Sequence, residues 1–419
     1  MFPNLRSLSL VILIAVGVQY AVANEPQVKL DLEEYDTECG IEVSQHDSLI
    51  HVTWPLGTDR RGRLIFDLTP SHPLIALAAV APTSQPLRVI ATGLDPVLLL
   101  RVGTRDLDKR DGWTIFFDRM QNKPSEVHSA VIDRTSVVAT SNARRATLTI
   151  GDVSAGPFKG KLRWTFYANT PFVLQEAILA TERVRTAYLY DTGLVCQQKL
   201  PTKMQWTDSS GSVDADNPDA IQQARHLAVK GRAISAEFEF GSIALFPPPH
   251  RYFYPLDFSV NLKNIWMGPM YNGQTLPFGF GIRHDPSGDN RYAPWINAPP
   301  KTTQHMGLFL LFSDASADQS LQDVSRLTRS ERFAPLAGHT VFSSHYHVEH
   351  TREVLAAQEN EPADDDQLEK LSSGGEYRIP QRLKNPGFAR TLRDLGVDIV
   401  HLAEFHSGKT PGMTQQQRV

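Results

Sequence analysis

A large antiparallel β-sandwich followed by a short C-terminal α/β segment is the fold class this sequence predicts. Three observations carry that expectation. From about residue 25 to 315 the chain is a succession of short β-rich runs broken by turn residues. Pro (28) and Gly (27) are frequent among the 419 residues, which suits many strands joined by turns better than a helical bundle. Helical periodicity is confined to a few stretches near the C-terminus. The composition, 41% hydrophobic and 21% charged, supplies a large core and excludes wholesale disorder. A net charge of −4 gives no general attraction to nucleic acid or to an anionic membrane.

In chain order, residues 1–23 read as an export signal. Arg6 precedes an apolar run, Leu8 to Val18, and Ala21-Val22-Ala23 has the small-x-small form of a cleavage site, so cut after Ala23. The run is shorter than the ~20 residues a spanning helix needs. The expectation is therefore a secreted or periplasmic protein with no stable membrane span once the signal is removed. Two cysteines, Cys39 and Cys196, are too few for a disulfide scaffold. They are read either as one bridge or as two buried thiols.

The sandwich is expected over 24–315. Strands are predicted at Arg63–Leu68, Trp113–Phe117, Ser136–Thr140, Ala146–Ile150, Leu162–Tyr167, Ala187–Tyr190, Ile234–Phe240 and His305–Phe312. The run Ile234 to Phe240 alternates at period two, as a half-buried strand does. No repeat of fixed period is present, which argues against a propeller. Aromatic residues in two Pro- and Gly-rich loop regions, 247–256 and 264–300, offer a second kind of signal. Trp266, Tyr271, Tyr292 and Trp295 are candidates to stack on sugar faces, the alternative being that they pack the ends of the sandwich. Asp285 and Asp289, beside Gly288, read as a turn rather than a calcium loop.

One stretch resembles the large sandwiches of the galactose-mutarotase-like superfamily. It comprises Gly156 to Leu162, then Trp164-Thr165-Phe166-Tyr167, Gln175-Glu176 and Tyr190-Asp191-Thr192-Gly193. The resemblance implies a carbohydrate-binding or carbohydrate-processing sandwich. It supplies no His and Glu pair to carry over as a catalytic site.

Residues 316–338 are expected to form a helical linker, with Leu321, Val324 and Leu327 at three-residue spacing. The segment 339–419 then changes character. Six of the fourteen histidines fall between His339 and His406. His345 and His347, two apart on a predicted strand, share a face, the geometry two imidazoles need to hold one metal. A helix is predicted over Gly387–Leu395 and a buried strand over Val397–His406, placing Glu404 and His406 on one face at its end.

This arrangement resembles the opening strands of the PHP and amidohydrolase-type metal-dependent hydrolases. The resemblance implies that His345 and His347 bind a first divalent metal, zinc, manganese or iron, with Glu404 or His406 completing the site. It departs from the family in using Glu for the acidic residue and in the long acidic loop 351–385. A second resemblance is to the metallo-β-lactamase superfamily, whose His-x-His-x-Asp-His differs by one residue from His345-x-His347-x-Glu349-His350. It would add Glu349 and His350 to the ligands. The alternative to both is a hydrogen-bonded histidine network or an incidental surface tract. About eighty residues hold only two strands of a barrel that needs roughly 200. The expectation is thus a truncated or split hydrolase, completed by a separate chain. No nucleophile elbow, phosphate loop or dinucleotide fingerprint occurs. The sequence therefore points to an exported relative of metal-dependent hydrolases with a sandwich that binds carbohydrate. The competing readings are a non-catalytic carbohydrate-binding or structural envelope protein, and a metallo-β-lactamase-like hydrolase.

Overall fold

The computed structural model describes residues 28–104, 124–208, 210–249, 263–274, 276–284, 295–331, 335–347, 392–393 and 396–403, with side chains given for all but 344–347 and 401–403. The export signal, the strand expected at Trp113–Phe117, Tyr292, Asp285, Asp289, Glu349, His350, Glu404 and His406 lie outside the described residues, as does most of the helix expected over 387–395.

The chain is mainly β. Two large sheets, antiparallel but for one short edge pair, pack face to face. The first runs, edge to edge, through Leu30–Asp31, Val137–Asn142, Arg145–Ala155, Phe158–Tyr167, Phe172–Thr181, Gln304–Ser313, Gly241–Phe246, Val229–Phe238, Lys203–Asp208 and Val213–Asp216. The second runs through Arg225–Leu227, Ile265–Gly268, Gly279–Arg283, Thr186–Cys196, Arg88–Thr104, Ile75–Pro82, Arg60–Asp67, Leu49–Pro55 and Glu42–His46. Strand Gln304–Ser313 pairs on one side with Phe172–Thr181 and on the other with Gly241–Phe246, closing a long-range crossover.

Alternation decides which side chains meet in the middle. Leu162, Trp164 and Phe166 point inward and are buried, while Arg163, Thr165 and Tyr167 between them point outward. Opposite them the second sheet sends in Trp54, Phe66, Tyr188 and Tyr190. Phe66 meets Trp164 edge to face at 5.1 Å, and Trp54 meets Phe166 in the same way at 5.2 Å. Such pairs add roughly 0.5–1.5 kcal/mol beyond their buried area. Thr186–Cys196 is buried along its whole length, because strands flank it in the sheet and side chains cover both faces.

The helix forms at Ala317–Leu327 and lies on the first sheet. Ser316 caps it by accepting from the Gln319 N–H, and Glu237 accepts from the Ala317 N–H at 2.8 Å. Leu321 and Val324 pack on the outward side chains Ala233, Ala244, Phe246 and Leu311. Ser320 and Ser242, both fully buried, share a hydrogen bond of 2.7 Å. The helix therefore covers one half of the outer face of the first sheet, and the adjoining half carries polar side chains.

In the C-terminal segment Phe342–His347 and Ile399–Ala403 pair in parallel. Two residues, Ser344 and His345, stand opposite His401 alone, a bulge in the pair. Leu392 and Arg393 are helical, and Gly396 takes the left-handed φ of 82° that ends the turn. Cys39 and Cys196 are both buried and both free thiols. Burial pushes the Cys196 thiol up to about 12, so it is inert at neutral pH.

Two groups make the sandwich acid-sensitive. Burial, then the neighbouring His46 and Arg63, hold His51 below the ordinary imidazole range, and its Nε2 is buried without a hydrogen-bond partner. Burial pushes Asp67 up, but hydrogen bonds from Thr69, His72 and Ser48 outweigh it and leave the carboxyl below its usual value. Both folded values are depressed. Each contribution is thus complete above the unfolded value, roughly 6.5 and 3.9, and is lost as pH falls through the folded one. The urea midpoint is expected to drop in two stages on acidification, and His51→Gln is expected to flatten the first.

Candidate functional site

The outer half-face left bare by the helix holds a cleft of about 540 Å³. Its side chains come from Val137–Asn142, Arg145–Ala155, Phe158–Tyr167, Phe172–Thr181 and Gln304–Ser313, with Glu34 at the rim. Period-two alternation puts Arg163, Thr165 and Tyr167 in it from one strand, and Leu174 and Glu176 from the next. Register then brings them opposite one another: Arg145 faces Tyr167, Thr147 faces Thr165, and Arg163 faces Glu176.

Glu176 is the centre of this group. Its side chain is 6% exposed, and both carboxylate oxygens are used. Arg163 Nη2 donates to Oε2 at 2.8 Å, and His305 Nδ1 lies 3.3 Å from Oε1. Arg163 Nε is buried with no partner, so the guanidinium keeps an unused donor. Thr140 and Thr147 hydroxyls meet at 2.6 Å. Burial, then the negative charge of Glu176, raises the Tyr167 phenol above its ordinary value, so it stays a neutral donor. Gly307 faces Glu176 on the neighbouring strand, and a Cβ there would come within 2.9 Å of Pro248 and 3.6 Å of Glu176 Cγ. The missing side chain leaves room for Pro248 to pack beside Glu176 and Leu174.

The aromatic candidates occupy other places. Trp266 and Tyr271 are fully buried and stack on each other, ring centroids 4.0 Å apart. Trp295 is 6% exposed and packs on Ala187 and Leu189. None of the three has a ring face open to a ligand, which corrects the sugar-stacking expectation for them. Long apolar surfaces in a two-sheet protein are more stable buried than at a loop rim.

Tyr271 instead belongs to a buried polar network on the second sheet. It donates to Asp191 Oδ2 at 2.7 Å, Asn272 Nδ2 donates to the same oxygen at 3.0 Å, and the His284 N–H donates to Oδ1 at 2.9 Å. Arg283 Nε donates to the Tyr271 oxygen at 3.0 Å. Burial, then Asp191, raises the Tyr271 phenol well above its usual value. Among the described residues these bonds tie the turn at 271–273 to the strand Thr186–Cys196.

The structure sorts the residues that carry the mutarotase-like resemblance. Gln175 turns inward and donates to Thr192 at 3.4 Å, whereas its neighbour Glu176 turns out into the cleft. Tyr190 crosses the interior to donate to the Gly307 carbonyl at 3.1 Å, and Asp191 faces the opposite way. The Glu176–His305 contact was not legible in the sequence, since 129 residues separate the two. The alternation around Trp164 was the available signal for the outward row.

His345 and His347 lie on the strand Phe342–His347, where His347 is in register with Ala403. Among the described residues no group of three His, Cys, Asp or Glu is placed to hold a metal ion. No helix among them is long and apolar enough to cross a membrane.

No family model matches the chain, and no curated protein does. Solved structures do. A galactose mutarotase related enzyme from Lactobacillus acidophilus matches 63% of this chain and 98% of its own at 9% identity, with a TM-score of 0.31. The GH36 α-galactosidase AgaB of Geobacillus stearothermophilus matches 86% of this chain at 11% identity and a TM-score of 0.37, over 56% of its own length. A glycosyl hydrolase family 38 protein from Enterococcus faecalis matches 68% at 9% identity and a TM-score of 0.31, over 33% of its length. The chain thus spans about half of the second and a third of the third.

Proposed function

We propose that this is an exported protein whose sandwich binds carbohydrate in the polar cleft centred on Glu176. The observation that carries the reading is the convergence of side chains from neighbouring strands on one open cleft of about 540 Å³, within the ~300–1,000 Å³ typical of small-molecule sites. A sugar hydroxyl both donates and accepts. The cleft offers both functions at fixed points: guanidinium and phenol donors, a carboxylate, and threonine hydroxyls, over the apolar patch of Leu174. Two of the strands that build it, Phe158–Tyr167 and Phe172–Thr181, also carry part of the sequence resemblance to the mutarotase-like sandwiches. Isothermal titration of the full chain against a panel of neutral and acidic oligosaccharides tests the reading. Saturable binding to at least one glycan is expected, and no binding across the panel would contradict it.

A second reading concerns the C-terminal segment. The parallel pairing of Phe342–His347 with Ile399–Ala403 supports the start of an α/β metal-hydrolase unit carrying His345 and His347. Under that reading a divalent zinc, manganese or iron ion would polarise a substrate bond and activate water, with Glu404, His406 or His350 as further ligands. Elemental analysis beside a His345→Ala/His347→Ala double variant decides it. Near-stoichiometric metal lost in the variant supports the unit, and no metal in either protein removes it.

A further inference from the structure

We infer that the cleft takes an acidic glycan, a sugar bearing a carboxylate, and that Arg145 receives the carboxylate. This rests on the carbohydrate reading above and narrows it to a ligand class. The cleft holds two guanidinium groups, and they differ in how they are used. Arg163 is paired, since its Nη2 donates to Glu176, whose other oxygen faces His305. The Glu176 charge is therefore taken up by its own neighbours. Arg145 meets no carboxylate within 4 Å among the described residues, and it is exposed at the mouth of the same cleft.

What surrounds Arg145 is rich in donors. Tyr167 faces it across one strand pair and Asn142 across the other. The Tyr167 phenol is neutral and the Asn142 amide carries two N–H groups. The paired Thr140 and Thr147 hydroxyls stand next in register. A planar fork of N–H groups beside further donors matches a carboxylate better than a neutral hydroxyl, which would leave donors unpaired. The same strand that supplies Arg163 and Tyr167 also turns Lys161 and Lys159 outward, with Asp152 opposite Lys161 and Ser154 opposite Lys159. Glu34 is the other acidic group at the rim. Lys159, opposite Ser154, thus extends positive charge beyond the cleft along one strand, in line for a second acidic residue of a polymer.

The test uses the full chain and three probes at fixed salt: a galacturonate oligosaccharide, its carboxyl-reduced galactose counterpart, and heparin as a sulfated polyanion. The uronate is expected to bind about 10-fold more tightly than the neutral oligomer, as a hydrogen-bonded charge pair supplies. In Arg145→Ala that preference should fall to roughly twofold, uronate binding losing more than neutral binding, and Arg145→Lys should lie between. Thermal melting and circular dichroism of the variants check that the exposed site leaves the fold intact. Equal binding of uronate and neutral oligomer would overturn the acidic-glycan inference while leaving the carbohydrate reading standing. Uronate and heparin binding alike, both insensitive to Arg145→Ala, would overturn it as unspecific charge attraction. No binding of any probe would overturn the inference and count against the carbohydrate reading together.

Discussion

Replacing Asp191 with alanine is expected to lower unfolding stability by about 3–5 kcal/mol. The carboxylate is buried and accepts from Tyr271, Asn272 and the His284 N–H, and Arg283 is bound to the Tyr271 oxygen behind it. Removing it strands three donors and takes a buried negative charge from behind the contact of Arg283 with Tyr271. Asp191→Asn keeps the shape and part of the hydrogen bonding, so its loss should be smaller. Urea denaturation of both variants measures this. A fall under about 1 kcal/mol for Asp191→Ala, the range of a surface substitution, would show that the network contributes little.

Glu176→Ala is expected to weaken glycan binding by about 10-fold or more, because it removes the acceptor and releases the two groups that it positions. Arg163 and His305 would no longer be held at 2.8 and 3.3 Å from a common carboxylate. The stability cost should be modest, about 1–2 kcal/mol, since both partners are about one-third exposed and water can replace the contact. Glu176→Gln keeps one acceptor and the side-chain volume, so binding should recover in part. Titration of the three proteins against the same glycan separates the effects. Unchanged binding in Glu176→Ala would place the ligand elsewhere.

The β-sandwich was legible in the sequence because its signals are local. The alternation of Leu162, Trp164 and Phe166 with Arg163, Thr165 and Tyr167 is readable from six residues of chain, and the strand forms where it is expected. The helix was legible too, from the three-residue spacing of Leu321, Val324 and Leu327. Its docking on the sheet was not, because the receiving residues Ala233, Ala244, Phe246 and Leu311 come from three separate strands. The cleft was hidden for the same reason. Glu176 and His305 become neighbours only through the pairing of Phe172–Thr181 with Gln304–Ser313. The loop aromatics misled for a different reason. Composition identifies a ring, but burial decides whether its face is free, and Trp266 and Tyr271 spend theirs on each other.

Hydrogen exchange of the full chain with and without a bound oligosaccharide tests the central claim most directly. The account predicts slowed exchange on the strands around Thr140–Thr147, Arg163–Tyr167, Leu174–Glu176 and His305–Gly307, which line the cleft or face it in register. The second sheet around Asp191 and Ile265–Arg283 should be unaffected. Protection centred on that second sheet, with the cleft strands unchanged, would contradict the assignment of the carbohydrate site.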